Sequence, residues 1–103
     1  MSWDLDEAEA VELAEEYISA MPPPGDDVWL ITRVEEREWG WVISWLNQRY
    51  FEGSRETRDT YAGGGPFLVD RKTGRVAICG SAHGPDHYID LWRRGDYPDT
   101  PRP

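Results

Sequence analysis

One cysteine and two histidines lie close together in this sequence, in the pattern Cys79-x3-His83-x3-His87. A zinc site usually takes four ligands from cysteine, histidine and carboxylate side chains, so a fourth would have to come from Asp86 or Asp90. The spacing matches no common zinc motif. Cysteine and histidine also form nucleophile–base pairs, but the sequence marks neither an oxyanion hole nor a group that would orient the base. We therefore predict no catalytic residue, no metal and no cofactor, and interpret the cluster as a buried thiol beside two histidines in a loop and at a helix start.

A run of three glycines and a proline, Gly63 to Pro66, is the second segment whose residue types suggest chemistry. Glycine-rich loops that hold phosphate lead from a strand into a helix, whose N-terminal amides face the anion. Here the run leads into the apolar segment 67–69, which reads as a strand, and Pro66 has no amide hydrogen to donate. The pattern therefore predicts a tight backbone bend, with Gly65 required for structure rather than for a ligand.

The first element that frames these segments is a helix predicted over Asp6 to Met21. Its apolar residues recur at helical spacing and form one stripe, which should face the core. The residues of the stripe are Ala10, Leu13, Ala14, Tyr17, Ile18 and Met21. Asp6 and Glu9 have the spacing of a capping box, in which each side chain accepts a hydrogen bond from the backbone amide of the other. Glu9, Glu12 and Glu16 then share the face opposite the stripe.

Four strands and a second helix are predicted after a proline-rich linker at 22–25. The elements are a strand over Val28 to Glu35, a turn at Glu36 to Glu38, a strand over Trp39 to Leu46, a loop over 52–61, a hairpin over 67–79 that turns at Asp70 to Gly74, and a helix over 86–94. Trp39, Trp41, Ile43 and Trp45 alternate onto one face of the second strand. The predicted architecture is α+β, with an N-terminal helix packed on a four-stranded antiparallel sheet and a short C-terminal helix over an edge or the other face. We assign residues 1–95 to one domain and 96–103, with three prolines, to a flexible tail.

Charge and composition restrict the partners of this chain. The 103 residues carry a net charge of −9 at pH 7, and residues 1–27 hold nine acids and no base. An acidic surface repels nucleic acid and attracts basic partners at long range. The single cysteine cannot form an internal disulfide, and the sequence shows no apolar run near 18 residues and no signal-like leader. We expect a cytoplasmic protein with no nucleic-acid or membrane partner.

The stretch from Gly63 to Trp92 resembles the core of the immunity protein 35 family, also called the YrhB-like domain. The matching residues are Gly64-Gly65-Pro66, Val69-Asp70, Thr73-Gly74-Arg75-Val76, Gly80-Ser81 and Tyr88-Ile89, with Trp41-Val42-Ile43 and Tyr50 upstream. The family consists of small bacterial proteins encoded beside polymorphic toxins. The resemblance implies a non-enzymatic protein that neutralises a co-encoded protein toxin by direct binding, and we expect a monomer or weak homodimer.

Two acidic patches are the predicted contacts with such a toxin, which we expect to be basic. The residues are Glu9, Glu12 and Glu16 on the first helix, and Glu35, Glu36, Glu38 and Trp39 at the first hairpin turn. Tryptophan is a frequent anchor of protein interfaces. The alternative is a small chaperone-like or stress-linked domain that binds apolar client segments through an apolar sheet face.

Overall fold

Two helices cover the two faces of one antiparallel sheet. The computed structural model describes residues 4–21, 28–48, 65–80, 82–101 and 103. The elements are α1 (Glu7–Ser19), β1 (Trp29–Arg37), β2 (Gly40–Asn47), β3 (Phe67–Asp70), β4 (Val76–Ile78) and α2 (Pro85–Arg93). The strands lie in the order β1-β2-β3-β4 with every neighbour antiparallel. The predicted α+β architecture is confirmed, while the predicted linker at 22–25 and loop over 52–61 lie outside the described residues.

The capping box predicted at the start of α1 is present. The backbone amide of Glu9 donates to Asp6 Oδ1 at 2.8 Å, and the amide of Asp6 donates to Glu9 Oε1 at 3.2 Å. The helix begins at Glu7 because these two bonds satisfy amides that have no partner within the helix. Glu9 therefore stabilises the helix start as well as adding charge to its surface.

The face of the sheet under α1 carries the larger of two apolar clusters. Ala10, Ala14, Tyr17 and Ile18 of the predicted stripe are buried there, with Leu13 and Met21 partly buried beside them. The sheet contributes Trp41, Ile43, Phe67, Val69 and Val76, and Trp45 packs against the group. The stripe thus fixes which face of α1 meets the sheet, and its glutamate face is left to solvent.

The opposite face of the sheet is covered by α2. Its buried residues are Val42, Leu68, Ala77, Cys79, Tyr88, Ile89 and Trp92. Trp39 packs against this second cluster rather than beside Trp41, so the prediction that it shares a face with Trp41, Ile43 and Trp45 is wrong. The reason is that β2 begins at Gly40, so Trp39 belongs to the turn, where the alternation of a strand does not apply.

The first hairpin turn lies two residues later than predicted. β1 continues to Arg37, so Glu35 and Glu36 are strand residues and the turn itself is Glu38 and Trp39. Successive strand residues point to opposite faces of a sheet. The two glutamates therefore cannot form one patch with Glu38.

The second hairpin turn forms as predicted between β3 and β4. Asp70 Oδ1 accepts hydrogen bonds from the amides of Lys72 and Thr73, each at 2.9 Å. Gly74 closes the turn with a φ of 72°, a conformation that glycine adopts without steric cost.

Gly65 has no positive φ, and close packing against the end of β4 is what restricts this position to glycine. A Cβ on Gly65 would lie 2.7 Å from Cys79 Cβ and 2.9 Å from the carbonyl oxygen of Gly80. We expect Gly65→Ala to lower the free energy of unfolding by about 1–3 kcal/mol, the usual cost of overpacking. Thermal melting followed by circular dichroism measures this, and an unchanged midpoint would contradict the close approach.

Residues 97–101 lie along the outer edge of β4, where the prolines alone predicted a flexible tail. The amide of Thr100 donates to the carbonyl of Val76 at 2.8 Å, and the Tyr97 hydroxyl donates to the carbonyl of Ile78 at 2.7 Å. Proline content indicates that a segment will not form a helix or an inner strand. It does not indicate whether the segment docks on the sheet, which here depends on both backbone and side-chain hydrogen bonds.

Candidate partner-binding surface

The cysteine and the two histidines of the sequence cluster have different environments. Cys79 is a free thiol with 2% of its surface exposed, and burial raises the pKa of this thiol to about 11. The reactive and metal-binding form of cysteine is the thiolate, which this environment disfavours. His83 and His87 are exposed, and their ring centroids lie 4.2 Å apart. Among the residues that the structure describes, no three His, Cys, Asp or Glu side chains are placed to share a metal ion.

The buried thiol should react very slowly with alkylating reagents in the folded protein. A pKa of about 11, against about 8.5 for a free cysteine, lowers the thiolate fraction at pH 8 by roughly two orders of magnitude. Iodoacetamide labelling followed by mass spectrometry should show this difference between native and urea-unfolded protein. Equal labelling rates in the two states would show that Cys79 is accessible and reactive.

Two of the three glutamates predicted at the first hairpin turn, Glu35 and Glu36, form ion pairs with arginines. On the α2 side of the sheet, Glu35 forms an ion pair with Arg37 at 2.9 Å and approaches Arg33 at 3.6 Å. On the α1 side, Glu36 accepts a hydrogen bond from Arg71 at 2.7 Å. These glutamates thus lie on different faces and each has its own cation, so they do not combine into an acidic patch.

Glu38 and Trp39 border a depression of mixed charge at the same end of the sheet. Its other lining residues are Asp70, Arg71, Lys72 and Arg93. The ring of Trp39 meets Trp92 edge-on, with centroids 5.7 Å apart, and the guanidinium of Arg93 lies 5.6 Å from the Trp39 ring centroid. Trp39 therefore joins the turn to α2, and only part of its surface is open to a partner.

The glutamates predicted on α1 do form one surface, which borders a groove of about 500 Å³. The groove runs between α1 and the β3–β4 turn, and we call it the α1 groove. Its lining residues are Leu5, Glu9, Glu12, Leu13, Glu16, Thr73 and Gly74. It therefore combines two apolar side chains with three carboxylates, a composition that suits a long basic side chain with an aliphatic stem.

Sequence reasoning missed the arginines that pair with the hairpin glutamates and the apolar part of the α1 groove. The Glu35–Arg37 pair had a local signal, because residues two apart on a strand share a face. The Glu36–Arg71 pair had no such signal, since Arg71 reaches Glu36 from the β3–β4 turn, 35 positions away in the chain. Leu5 and Gly74 likewise meet only because the segment before α1 follows the β3–β4 turn, with the amide of Leu5 donating to the carbonyl of Arg71 at 2.8 Å.

These features define a class of small α+β proteins in which two helices cover the two faces of a four-stranded antiparallel sheet. The chain belongs to the immunity protein 35 family, whose model matches residues 8–91. No curated protein and no solved structure matches the chain. Neither described helix has the length and apolar character needed to cross a bilayer. Membership of an immunity-protein family indicates a role in neutralising a toxin.

Proposed function

We propose that this protein neutralises a basic, co-encoded toxin by binding it directly, without catalysis, and that the α1 groove is the main contact. The proposal depends on membership of the immunity protein 35 family, whose matched region contains α1 from its second residue onward and the β3–β4 turn. We also propose that the protein acts in the cytoplasm as a monomer.

The distribution of charge favours α1 over the hairpin turn as the contact. Residues 7–19 contain five glutamates and no lysine, arginine or histidine, so the helix itself carries negative side-chain charge alone. Residues 33–37 of the hairpin, by contrast, contain two arginines as well as two glutamates. Like charges on one face add their fields, whereas neighbouring charges of opposite sign largely cancel at a distance. The potential that attracts a basic protein should therefore centre on α1.

The shape of the α1 groove favours an arginine or lysine of the toxin as its occupant. Leu5 and Leu13 offer apolar contact to a methylene stem, while Glu12 and Glu16 offer carboxylates to the charged end. Arginine is enriched among residues that dominate binding energy at protein interfaces. One such side chain in the groove would combine long-range attraction with local fit.

The chaperone-like alternative is less favoured by the fold. It requires an apolar sheet face open to clients, whereas α1 and α2 cover the two faces and bury Ile43, Leu68 and Ala77 to 0% exposure. Within the described residues, Val28 is the exposed large apolar side chain, with half of its surface accessible (50%). A single such residue is ordinary for a globular surface and does not make a client-binding patch.

The proposal is tested by co-purification and by the salt dependence of binding. The tagged protein is co-expressed with the product of the neighbouring gene, and the purified pair is studied by stopped-flow or surface plasmon resonance. We expect association to slow markedly as salt rises, with a smaller effect on dissociation, because salt screens exposed charges beyond about 8–10 Å. A complex whose association rate does not change with salt would remove α1 as the contact, and absence of any complex would remove the proposed function.

A further inference from the structure

The outer edge of β4 is covered by residues 97–101, which we call the strap. The amide of Thr100 donates to the carbonyl of Val76 at 2.8 Å, and the amide of Ile78 donates to Thr100 Oγ1 at 3.0 Å. The Tyr97 hydroxyl donates to the carbonyl of Ile78 at 2.7 Å. These bonds occupy outward-facing groups that a neighbouring strand would otherwise use.

A charged anchor holds the strap in place. Both carboxylate oxygens of Asp99 accept hydrogen bonds from Arg75 Nε, at 2.9 and 3.1 Å, and one also accepts from Trp92 Nε1 at 2.8 Å. The bond from Arg75, followed by that from Trp92, lowers the pKa of Asp99 despite partial burial. Asp99 thus connects the strap to Arg75, the residue before β4, and to Trp92 of α2.

The two edges of the sheet differ in their need for such a cover. β1 carries four charged side chains, at 33 and 35–37, and its pairing with β2 shifts register between Ile31 and Arg33. Charges and bulges of this kind discourage pairing of an edge strand with another chain. β4 consists of Val76, Ala77 and Ile78, without charge or proline, so this short edge lacks the charges and the bulge that protect β1.

We propose that the strap is an intramolecular guard that prevents β4 from pairing with β4 of a second copy of the chain. Antiparallel pairing of two β4 edges about a two-fold axis would give a closed dimer. Pro98 and Pro101 have no amide hydrogen, so the strap covers the edge without offering a good template for another strand. The family match ends at residue 91, so the strap lies outside the part of the chain that the match covers.

Deletion of residues 96–103 provides the first test. In sedimentation equilibrium, we expect the shortened chain to be folded and dimeric and the full chain to be monomeric. The backbone amide of Ile78 should then gain protection from hydrogen exchange as the concentration of the shortened chain rises. A folded shortened chain that stays monomeric, or that dimerises while the Ile78 amide stays unprotected, would overturn the proposal.

If the shortened chain does not fold, the full-length double variant Asp99→Asn/Thr100→Val provides the second test of the proposal. It removes the anchor charge and the acceptor for Ile78 with little change in shape. We expect hydrogen exchange at the Ile78 amide to become roughly tenfold faster, and we expect the variant to self-associate. Exchange at the amide of Ala77, which lies opposite Leu68 in the β3–β4 ladder, should not change. Asp96→Asn is the matched control, because Asp96 pairs with Arg94 at 3.7 Å and makes no side-chain bond to β4. Unchanged exchange at Ile78, or a variant that remains monomeric, would overturn the proposal.

Discussion

Replacing Gly40 with alanine is expected to lower the free energy of unfolding by about 3 kcal/mol or more. Gly40 is the first residue of β2 and lies opposite Asp70 in the ladder with β3. A Cβ at this position would lie 1.9 Å from the carbonyl oxygen of Val69 and 3.1 Å from the amide nitrogen of Arg71. Both atoms belong to backbone that cannot move without disturbing the β2–β3 pairing, so the clash cannot be relieved by a side-chain rotation.

Thermal or urea unfolding measures this loss, with Gly84→Ala as a matched control. About 3 kcal/mol corresponds to a fall in Tm of about 12–24 °C for a domain of this size. No atom lies within 4 Å of a Cβ built on Gly84. Gly84→Ala should therefore cost about 1 kcal/mol at most, which reflects the weaker capping of α2 by alanine. A Gly40→Ala protein that melts near the wild-type temperature would contradict the close approach of β2 and β3.

Reversing two charges in the α1 groove is expected to slow association with the toxin about tenfold or more at low salt. The double variant Glu12→Lys/Glu16→Lys changes the charge beside the groove by four units and leaves the apolar stripe intact. Glu9 is excluded because its side chain accepts the amide of Asp6 in the capping box. Its replacement would weaken the helix start by about 1 kcal/mol and mix a stability effect with a binding effect. Association rates at several salt concentrations test this expectation, and the effect should shrink as salt rises.

Glu15→Lys compared with Glu12→Lys is the matched pair for this test. The two variants change charge equally and lie three residues apart, but Glu15 lies on the other flank of α1, near Trp29 and Leu30. We expect Glu12→Lys to slow association more than Glu15→Lys, with equal melting temperatures. If the two variants slow association equally, the acidic residues of α1 attract the toxin at long range but do not contact it. If neither variant changes binding, the interface must lie elsewhere, with the depression beside Trp39 as the next candidate.

Interactions between residues close together in the chain could be predicted from the sequence, whereas interactions between distant residues could not. The helix start at Asp6, the turn at Asp70 to Gly74 and the apolar stripe of α1 were all predicted correctly. Each depends on residues a few positions apart, whose geometry is set by the helix period or by one turn. The three glutamates of α1 share a face for the same reason.

The interactions that the tertiary structure decided are those between distant segments. Glu36 meets Arg71, Leu5 meets Gly74, and Thr100 meets Val76 because separate elements pack on the same sheet. No periodicity in a single sequence indicates which residues from distant segments will be in contact. The face taken by Trp39 also depended on the residue at which β2 begins, because a side chain in the turn does not follow the alternation of the strand. Sequence alone therefore determined the elements and the acidic face of α1, whereas the packing of distant segments decided that this face borders a groove, that the hairpin glutamates are paired and that the C-terminal segment covers β4.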